Sequence, residues 1–452
     1  MRLSRVVLLA SLACGTFLPV ARGATLQEVL VGVYLGSPRL EAARARLRAV
    51  DEEVPAALSG WRPQLAASSS AAMALTSTDG SDQTLGSLGQ SVTLSQPLYT
   101  GGATTAGTSR AEHAVLAERA RLTATEQAVL LEAVEAFAAV RRDRAVRDLA
   151  RRNEQRFQQH LAATRDRERF GELTRTDIAQ AETRLAEATA ERIRAEGELT
   201  VAEARFRRVV GTPPDELAAA EAPAPPPLPE TELDPVVDTL PEVVAAGFEL
   251  DAARDDIDLA RARLRPRLSL DGSLGYERQP STLIDDESTA SIGFTLTVPL
   301  YQGGAEYARI RQSRQTAAER RHRLADVRQV ALEGLLAARA ELASVAARVK
   351  TLQVQIDGAT FALEGVTQEA LIGARTVLDV LDAEQELFAA EVELARAETA
   401  RLVAAYRLRA AAGQLTAQAL QLPVEPHDAE AYYRAVRNRW VGTGDAAEDG
   451  DE

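Results

Sequence analysis

The phrases VTLSQPLYTGG (residues 92–102) and FTLTVPLYQGG (residues 294–304) are closely similar and lie 202 residues apart. In each phrase apolar and polar residues alternate with the period of two that is typical of a β-strand. The alternation ends in Pro, Leu, Tyr, one polar residue and two glycines. Because glycine tolerates backbone conformations that other residues avoid, the phrase indicates a joint between a strand and another kind of element.

The same interval separates other residues that interrupt regular structure, so the chain is a tandem repeat. Two further glycine pairs keep it: Gly171 with Gly373, and Gly211 with Gly413. A proline-rich stretch between the halves is typical of an extended linker. We predict a first structural repeat at 24–211, the linker at 212–235, a second repeat at 236–413, and a C-terminal segment at 414–452 that ends in an acidic, disordered tail.

The first 23 residues have the parts of a secretory signal peptide. A basic start precedes an apolar core that is too short to span a membrane as a helix, and Ala21 and Gly23 are small residues where a signal peptidase reads. Cys14, the only cysteine, falls inside this segment. Its surroundings also resemble a lipobox, in which Cys14 would carry lipid. A mature chain without a thiol must be stabilised by packing or by oligomerisation.

Composition and motifs give no support to an enzyme. The formal net charge of −14 opposes general nucleic-acid binding. The histidines lack Cys or His partners at metal-ligand spacing, and no nucleophile or phosphate-binding motif occurs. We therefore expect no catalytic residue, no cofactor, no metal and no nucleic-acid partner.

Each repeat predicts the same order of elements. A helix, at about 26–60 and again at 237–264, is ended by an Arg-Pro pair and followed by two strands. The predicted strands are 64–75, 92–98, 268–277 and 292–300, of which 64–75 rests mainly on the repeat. Such alternation fits a half-buried strand of a soluble protein and also a strand of a membrane barrel. On this pattern alone the soluble strand is favoured.

A helical period begins after Gly102 and Gly304. From Leu342 to Val366 apolar residues recur at alternating steps of three and four, which is the heptad pattern of a coiled coil. No proline interrupts residues 304–373, so a helix there is about 100 Å long, and a shorter helix returns after Gly373. A structural rod is an alternative that periodicity does not exclude.

Both turns between the long and the returning helices carry a capping signal. The pairs are Thr174 with Asp177, and Thr376 with Asp379. A Thr at the N-cap with an acid three residues later satisfies free backbone N–H groups, so capping is the simplest role for both acids. Asp382 lies one turn beyond Asp379 on the same helix face, where it can pair with a cation elsewhere.

Taken together, the doubled PLYxGG and the phrase GARTVLDVLDAEQELF (373–388) resemble the TolC family of outer-membrane efflux and secretion ducts. The resemblance covers about 25–415. It implies a mainly α-helical fold with a β-barrel part: long helical hairpins form a periplasmic barrel, and each chain of a homotrimer gives four strands to a twelve-stranded barrel in outer-membrane lipid. Four strands cannot close a membrane barrel alone, and an open edge cannot lie in lipid.

The resemblance also implies partners and a gate. A periplasmic adaptor protein and an inner-membrane ABC exporter or proton-driven pump would meet the turns at Gly171 and Gly373. The residues that match the family's periplasmic gate are Thr176, Asp177, Arg375, Asp379 and Asp382. Ala370 stands where the resemblance implies a latching tyrosine. We therefore expect Arg375 to close the gate by bonding to the first-repeat gate residues, and the second-repeat acids to favour cations.

The same resemblance implies roles for the residues of the two strand-to-helix joints. Their residues are Pro97, Tyr99, Gly101, Gly102, Pro299, Tyr301, Gly303 and Gly304. We expect the prolines to end the strands, the tyrosines to lie at the membrane interface and the glycines to let the chain turn into a helix.

We therefore predict an exit duct in the outer membrane of a Gram-negative bacterium, extending into the periplasm. Type I protein secretion is favoured, because RTVLDVLDAEQELF (375–388) and the lack of a convincing lipobox resemble that branch. The outer-membrane component of a multidrug efflux pump is the alternative, and a periplasmic scaffold without a pore is a more distant one.

Overall fold

A computed structural model describes residues 23–229, 232–281 and 284–444. Residues 1–22 of the predicted signal peptide, Cys14 among them, and residues 445–452 of the acidic tail lie outside the described residues. The first repeat contains α1 (Leu26–Gly36), α2 (Pro38–Asp51), α3 (Glu53–Leu58), β1 (Gln64–Thr78), β2 (Ser81–Tyr99), α4 (Ala103–Arg169) and α5 (Arg175–Val210). The second contains α6 (Asp234–Val237), α7 (Pro241–Ala262), β3 (Arg267–Ser281), β4 (Ile284–Thr297), α8 (Ala305–Leu371) and α9 (Val377–Ala411), and α10 (Ala431–Val436) follows.

The helix predicted at 26–60 is divided into three. Ser37 has an extended backbone, and Pro38 then opens α2 at a position where a missing N–H costs little. Pro55 cannot donate the hydrogen bond that would continue α2 into α3. The helix predicted at 237–264 begins only at Pro241, for the reason that applies at Pro38.

The four strands form one antiparallel sheet in the order β1-β2-β3-β4. The two central strands, β2 of the first repeat and β3 of the second, pair with each other and place Val92 opposite Leu274. The strands differ from the predicted ones in length: β2 begins at Ser81 instead of 92, because Leu85 and Leu88 in its first half are three residues apart and do not follow a period of two. Strand β4 begins at Ile284 and ends at Thr297, three residues before the predicted end.

Two helical hairpins make up most of the molecule. Helices α4 and α8 have 67 residues each, which corresponds to about 100 Å and confirms the predicted length. The returning helices α5 and α9 have 36 and 35 residues. Val349 and Leu352, two of the predicted heptad residues, are buried with Ala397 of α9, which confirms the coiled-coil pairing. No helix in the described part of the chain is long and apolar enough to cross a membrane.

The two long helices differ in how well this chain covers them. Helix α4 packs against α5, α7 and α9, and buried residues occur along most of its length. Helix α8 packs against α7 and α9 and leaves large apolar side chains exposed: Val330, Leu336, Val354 and Phe361. These side chains of α8 are therefore available for contact with another molecule.

The largest hydrophobic core lies where the C-terminal segment crosses the first repeat. Leu415, Ala417 and Leu422 are buried there together with residues of α1, α2, α4 and α5. The backbone N–H of His427 donates a hydrogen bond to the Tyr34 hydroxyl over 3.0 Å. Residues 414–427 are therefore packed against the first repeat through these side chains.

Candidate functional site: strand-to-helix joints and hairpin tips

The first joint needs glycine for two reasons. Gly101 and Gly102 have φ values of 67° and 89°, in the left-handed region that side chains disfavour. A Cβ on Gly101 would also lie 2.8 Å from the Ala262 carbonyl oxygen and 2.9 Å from the Arg265 Cβ. Arg265 donates from Nη1 to the Gly101 carbonyl over 3.2 Å. The end of the helix before β3 therefore holds the joint of the other repeat.

The second joint needs glycine for its backbone alone. Gly303 and Gly304 have φ values of 63° and 85°, and a Cβ at either would meet no atom within 4 Å. Gly102 and Gly304 each stand at the N-cap of a long helix. The two joints thus share one backbone geometry but differ in how closely the chain surrounds them.

The two prolines behave differently. Pro97 lies inside β2 opposite Ser269, and the register shifts between Pro97 and Tyr99, so the prediction that Pro97 ends the strand is wrong. A bulge at this position accommodates the missing N–H within the ladder. Pro299 lies two residues beyond the end of β4, outside the ladder, although the sequence predicts a strand that reaches residue 300. Tyr99 and Tyr301 are both exposed.

The sheet has one apolar and one polar face. Large exposed side chains share the first: Leu65, Met73, Leu75, Val92, Leu94, Leu274, Ile292, Phe294 and Leu296. On the other face the hydroxyls of Ser68 and Ser91 lie 2.8 Å apart, and Ser95 donates to Asp271 over 2.7 Å. Apolar and polar residues alternate in this way in outer-membrane barrels, where one face meets lipid and the other lines the lumen.

The hairpin tips, residues 170–177 and 372–379, lie at the far end of the long helices. Gly171 and Gly373 have φ values of 80° and 78°, and the capping boxes that the sequence predicts follow them. The Thr174 N–H donates to Asp177 over 2.8 Å, and the Thr376 N–H donates to Asp379 over 2.9 Å.

These caps also set the charge of the two acids. The backbone N–H and then the hydroxyl of Thr174 lower the pKa of Asp177 below its ordinary value. The hydroxyl of Thr376 and then its backbone N–H lower the pKa of Asp379. Hydrogen bonds to a carboxylate favour its ionised form, so Asp177 and Asp379 are both ionised at neutral pH.

The gate residues have different partners within one chain. Arg375 donates from Nε to Glu369 over 2.9 Å, within its own turn. Asp382 accepts a hydrogen bond from Arg184 of α5 over 2.6 Å. Thr176 is exposed. The expected bonding of Arg375 to the first-repeat gate residues is not found among the described residues of the single chain.

No role was predicted from the sequence for several residues near the tips. Arg184 was missed although it stands two helical turns after Asp177, on the same helix face. Phe170, Leu371 and Ile372 are exposed apolar residues directly before the tip glycines. The available signal was an apolar residue directly before each tip glycine.

Comparisons with known proteins agree with this architecture. The family model described as "Outer membrane efflux protein" matches residues 33–212 and 238–414, which are the two repeats. The chain is 34% identical to the "Outer membrane efflux protein BepC" of Brucella suis biovar 1 (strain 1330), over 97% of this chain and 96% of that one. It is 28% identical to the "Alkaline protease secretion protein AprF" of Pseudomonas aeruginosa, over 73% of this chain and 70% of that one.

Solved structures share the fold. A structure of CusC aligns with a TM-score of 0.78 at 18% identity, over 86% of this chain and 91% of that one. The fold class predicted from the sequence, helical hairpins with four strands that contribute to a barrel, is confirmed. The chain is therefore a member of the outer membrane efflux protein family, and it lies in the outer membrane and extends into the periplasm.

Proposed function

We propose that three copies of the chain close into one duct that carries cargo out of the cell. The observation that carries the proposal is the open sheet: β1 and β4 are its edges, and each has one side without a partner strand in the described part of the chain. Because unpaired backbone groups are costly in lipid, the edge strands must pair with neighbouring copies. The two-faced sheet then places its apolar side toward lipid and its serine-rich side toward the lumen.

The exposed face of α8 supports assembly along the whole length of the duct. Val354 and Phe361 lie more than ten helical turns below the strands, so pairing of strands alone would leave them in water. A second copy packed against α8 covers them. A scaffold without a pore does not account for the apolar face of the sheet.

The hairpin tips are the proposed contact with a periplasmic adaptor protein and, through it, an inner-membrane pump. Phe170 and Ile372 extend from the far end of the duct beside Gly171 and Gly373. Exposed apolar side chains beside a fixed acidic cap suit a partner that offers apolar and basic residues. The gate proposed from Thr176, Asp177, Arg375, Asp379 and Asp382 lies at the same end.

Type I protein secretion is the proposed cargo class. AprF and the "Proteases secretion protein PrtF" of Dickeya chrysanthemi are named for protease secretion. BepC, which is named an outer membrane efflux protein, is the relative that favours the second candidate, small-molecule efflux.

A comparison of strains tests the cargo class, and measurements on the purified protein test assembly. The gene is deleted and restored, and the proteins of the medium and the susceptibility to apolar drugs are both measured. Loss of a secreted protein with unchanged susceptibility supports type I secretion, and the reverse supports efflux. The purified protein should be a trimer by native mass spectrometry and conduct ions in a planar bilayer, whereas a monomer without conductance contradicts the duct.

A further inference from the structure

The C-terminal segment continues past the core and is held firmly against the first repeat. In α10, Val436 is fully buried, with 0% of its surface exposed, and Tyr433 packs on the cluster of Val54, Ala111 and Val115. Just after α10, Arg437 donates from Nη2 to Glu112 of α4 over 2.9 Å. The path of the chain up to Arg437 is therefore fixed by apolar burial and by an ion pair.

The next residues are placed beside the start of the sheet. Arg62, two residues before β1, donates from Nη1 to the Arg439 carbonyl over 2.7 Å. Its guanidinium also lies 5.0 Å from the centroid of the Trp440 ring. The carbonyl of Trp61 accepts a hydrogen bond from Gln96 of β2 over 2.7 Å. These bonds fix Trp440 at the level where the strands leave the helices.

At this level the segment turns its largest apolar side chains outward. Trp440 is 65% exposed and Val441 is 84% exposed, only four and five residues after the buried Val436. Trp61 is partly exposed, and Tyr99 at the end of β2 is exposed. Tryptophan and tyrosine are enriched where a membrane meets water, because the ring is apolar and its N–H or O–H group is polar.

We propose that residues 439–441 form a membrane-interface anchor, in which Trp440 and Val441 insert among phospholipid headgroups of the periplasmic leaflet. The occupant is lipid, because the anchor lies at the level where the strands begin and presents exposed apolar side chains there, and Arg62 beside it suits a phosphate. The anchor ties the C-terminus and the first strand to one level of the membrane. The inference rests on the proposed lipid contact of the sheet.

The tryptophan content makes a direct test possible. The chain has two tryptophans, Trp61 and Trp440, so Trp61→Phe leaves Trp440 as the single tryptophan, which is excited selectively over the tyrosines at the red edge of absorption. The variant is reconstituted in phosphatidylcholine vesicles with or without lipid brominated near the top of the acyl chain. We expect a blue-shifted emission that loses most of its intensity to the brominated lipid and little to aqueous acrylamide.

Two results would overturn the anchor. Emission typical of water and quenched by acrylamide shows a solvated Trp440. Blue-shifted emission that neither quencher reaches shows a Trp440 buried against a second copy.

A reporter on the sheet separates failure of the anchor from failure of the duct. Phe294→Trp in a chain that also carries Trp61→Phe and Trp440→Phe places the single fluorophore on the apolar face. If brominated lipid quenches Trp at 294 but not Trp440, the anchor is wrong and the duct stands. If it quenches neither, both are wrong.

Discussion

Arg184 of α5 donates a hydrogen bond to Asp382 of α9 over 2.6 Å, and so ties the two returning helices together near the hairpin tips. Both side chains are partly exposed, so the pair contributes at most about 1 kcal/mol to stability. The position of the pair matters more than its strength, because α5 and α9 would separate if the tips moved apart. The pair is thus suited to limit opening of the proposed gate without holding the fold together.

Replacement of Arg184 by Ala should raise the conductance of the reconstituted duct and leave its thermal stability nearly unchanged. Asp382→Asn should act in the same direction, because it removes the other charge of the pair. Arg194→Ala is a matched control, since Arg194 lies on the same helix and pairs with Glu191 of that helix. Single-channel recordings check this, and equal conductance of Arg184→Ala and the control would contradict the proposed restraint.

Arg375 offers a second test of the gate, because its partner in the single chain is Glu369. If Arg375 also bonds to first-repeat residues of a neighbouring copy, Arg375→Ala should raise the conductance while Glu369→Ala should not. Assembly should be unchanged in both, as both side chains are exposed. Single-channel recordings of the two variants test this. If neither substitution changes the conductance, Arg375 bonds only to Glu369 of its own chain.

The chain contains a buried acid that the sequence did not reveal. Asp51 at the end of α2 is 0% exposed, and neither carboxylate oxygen has a hydrogen-bond partner among the described residues. Burial raises the pKa of Asp51 to about 6, against a smaller opposing effect of Arg119 and with a small further increase from Glu52. Since the folded pKa lies above the ordinary value of 3.8, ionisation of Asp51 destabilises the folded state.

Asp51→Asn should therefore stabilise the folded state at pH 8 by about 3 kcal/mol per chain and so raise the melting temperature. The advantage should shrink as the pH falls through about 6 and disappear near 3.8, where the acid is protonated in both states. Melting curves of both proteins from pH 4 to pH 8 test this. Asp251→Asn, at a partly exposed acid that pairs with Arg254, serves as control, and a pH-independent difference would contradict the mechanism.

The joints provide a matched pair of glycines. Gly101→Ala and Gly303→Ala both place a side chain at positive φ, which costs about 1–2 kcal/mol. Only at Gly101 does the new Cβ also meet the Ala262 carbonyl and the Arg265 side chain. We expect Gly101→Ala to reduce the yield of trimer in the outer membrane far more than Gly303→Ala, as measured on a native gel. Equal losses would show that backbone strain alone matters.

The sequence predicted what regular patterns encode and missed what depends on contacts between distant residues. Glycines at equivalent positions of the two repeats located both joints and both tips, because a left-handed backbone conformation favours glycine. The bulge that keeps Pro97 inside β2 depends on the pairing of β2 with β3. The ends of the strands depend on hydrogen bonds to neighbouring strands, which the sequence of a single strand does not encode. Arg184 was missed because its partner Asp382 is 198 residues away.

The two faces of β4 give the most direct test of the barrel. Ile292 and Ser291 are neighbours on opposite faces, with Ile292 exposed and Ser291 within 2.8 Å of the Ser273 hydroxyl. Ile292→Arg places a charge in lipid, at a cost of about 2–4 kcal/mol near the bilayer midplane. Ser291→Arg places it in the aqueous lumen at the cost of one weak hydrogen bond. We expect Ile292→Arg to lower the amount of heat-stable trimer in outer-membrane fractions, while Ser291→Arg assembles normally and lowers cation conductance. If Ser291→Arg is the one that fails to assemble, the faces of the sheet are assigned the wrong way round.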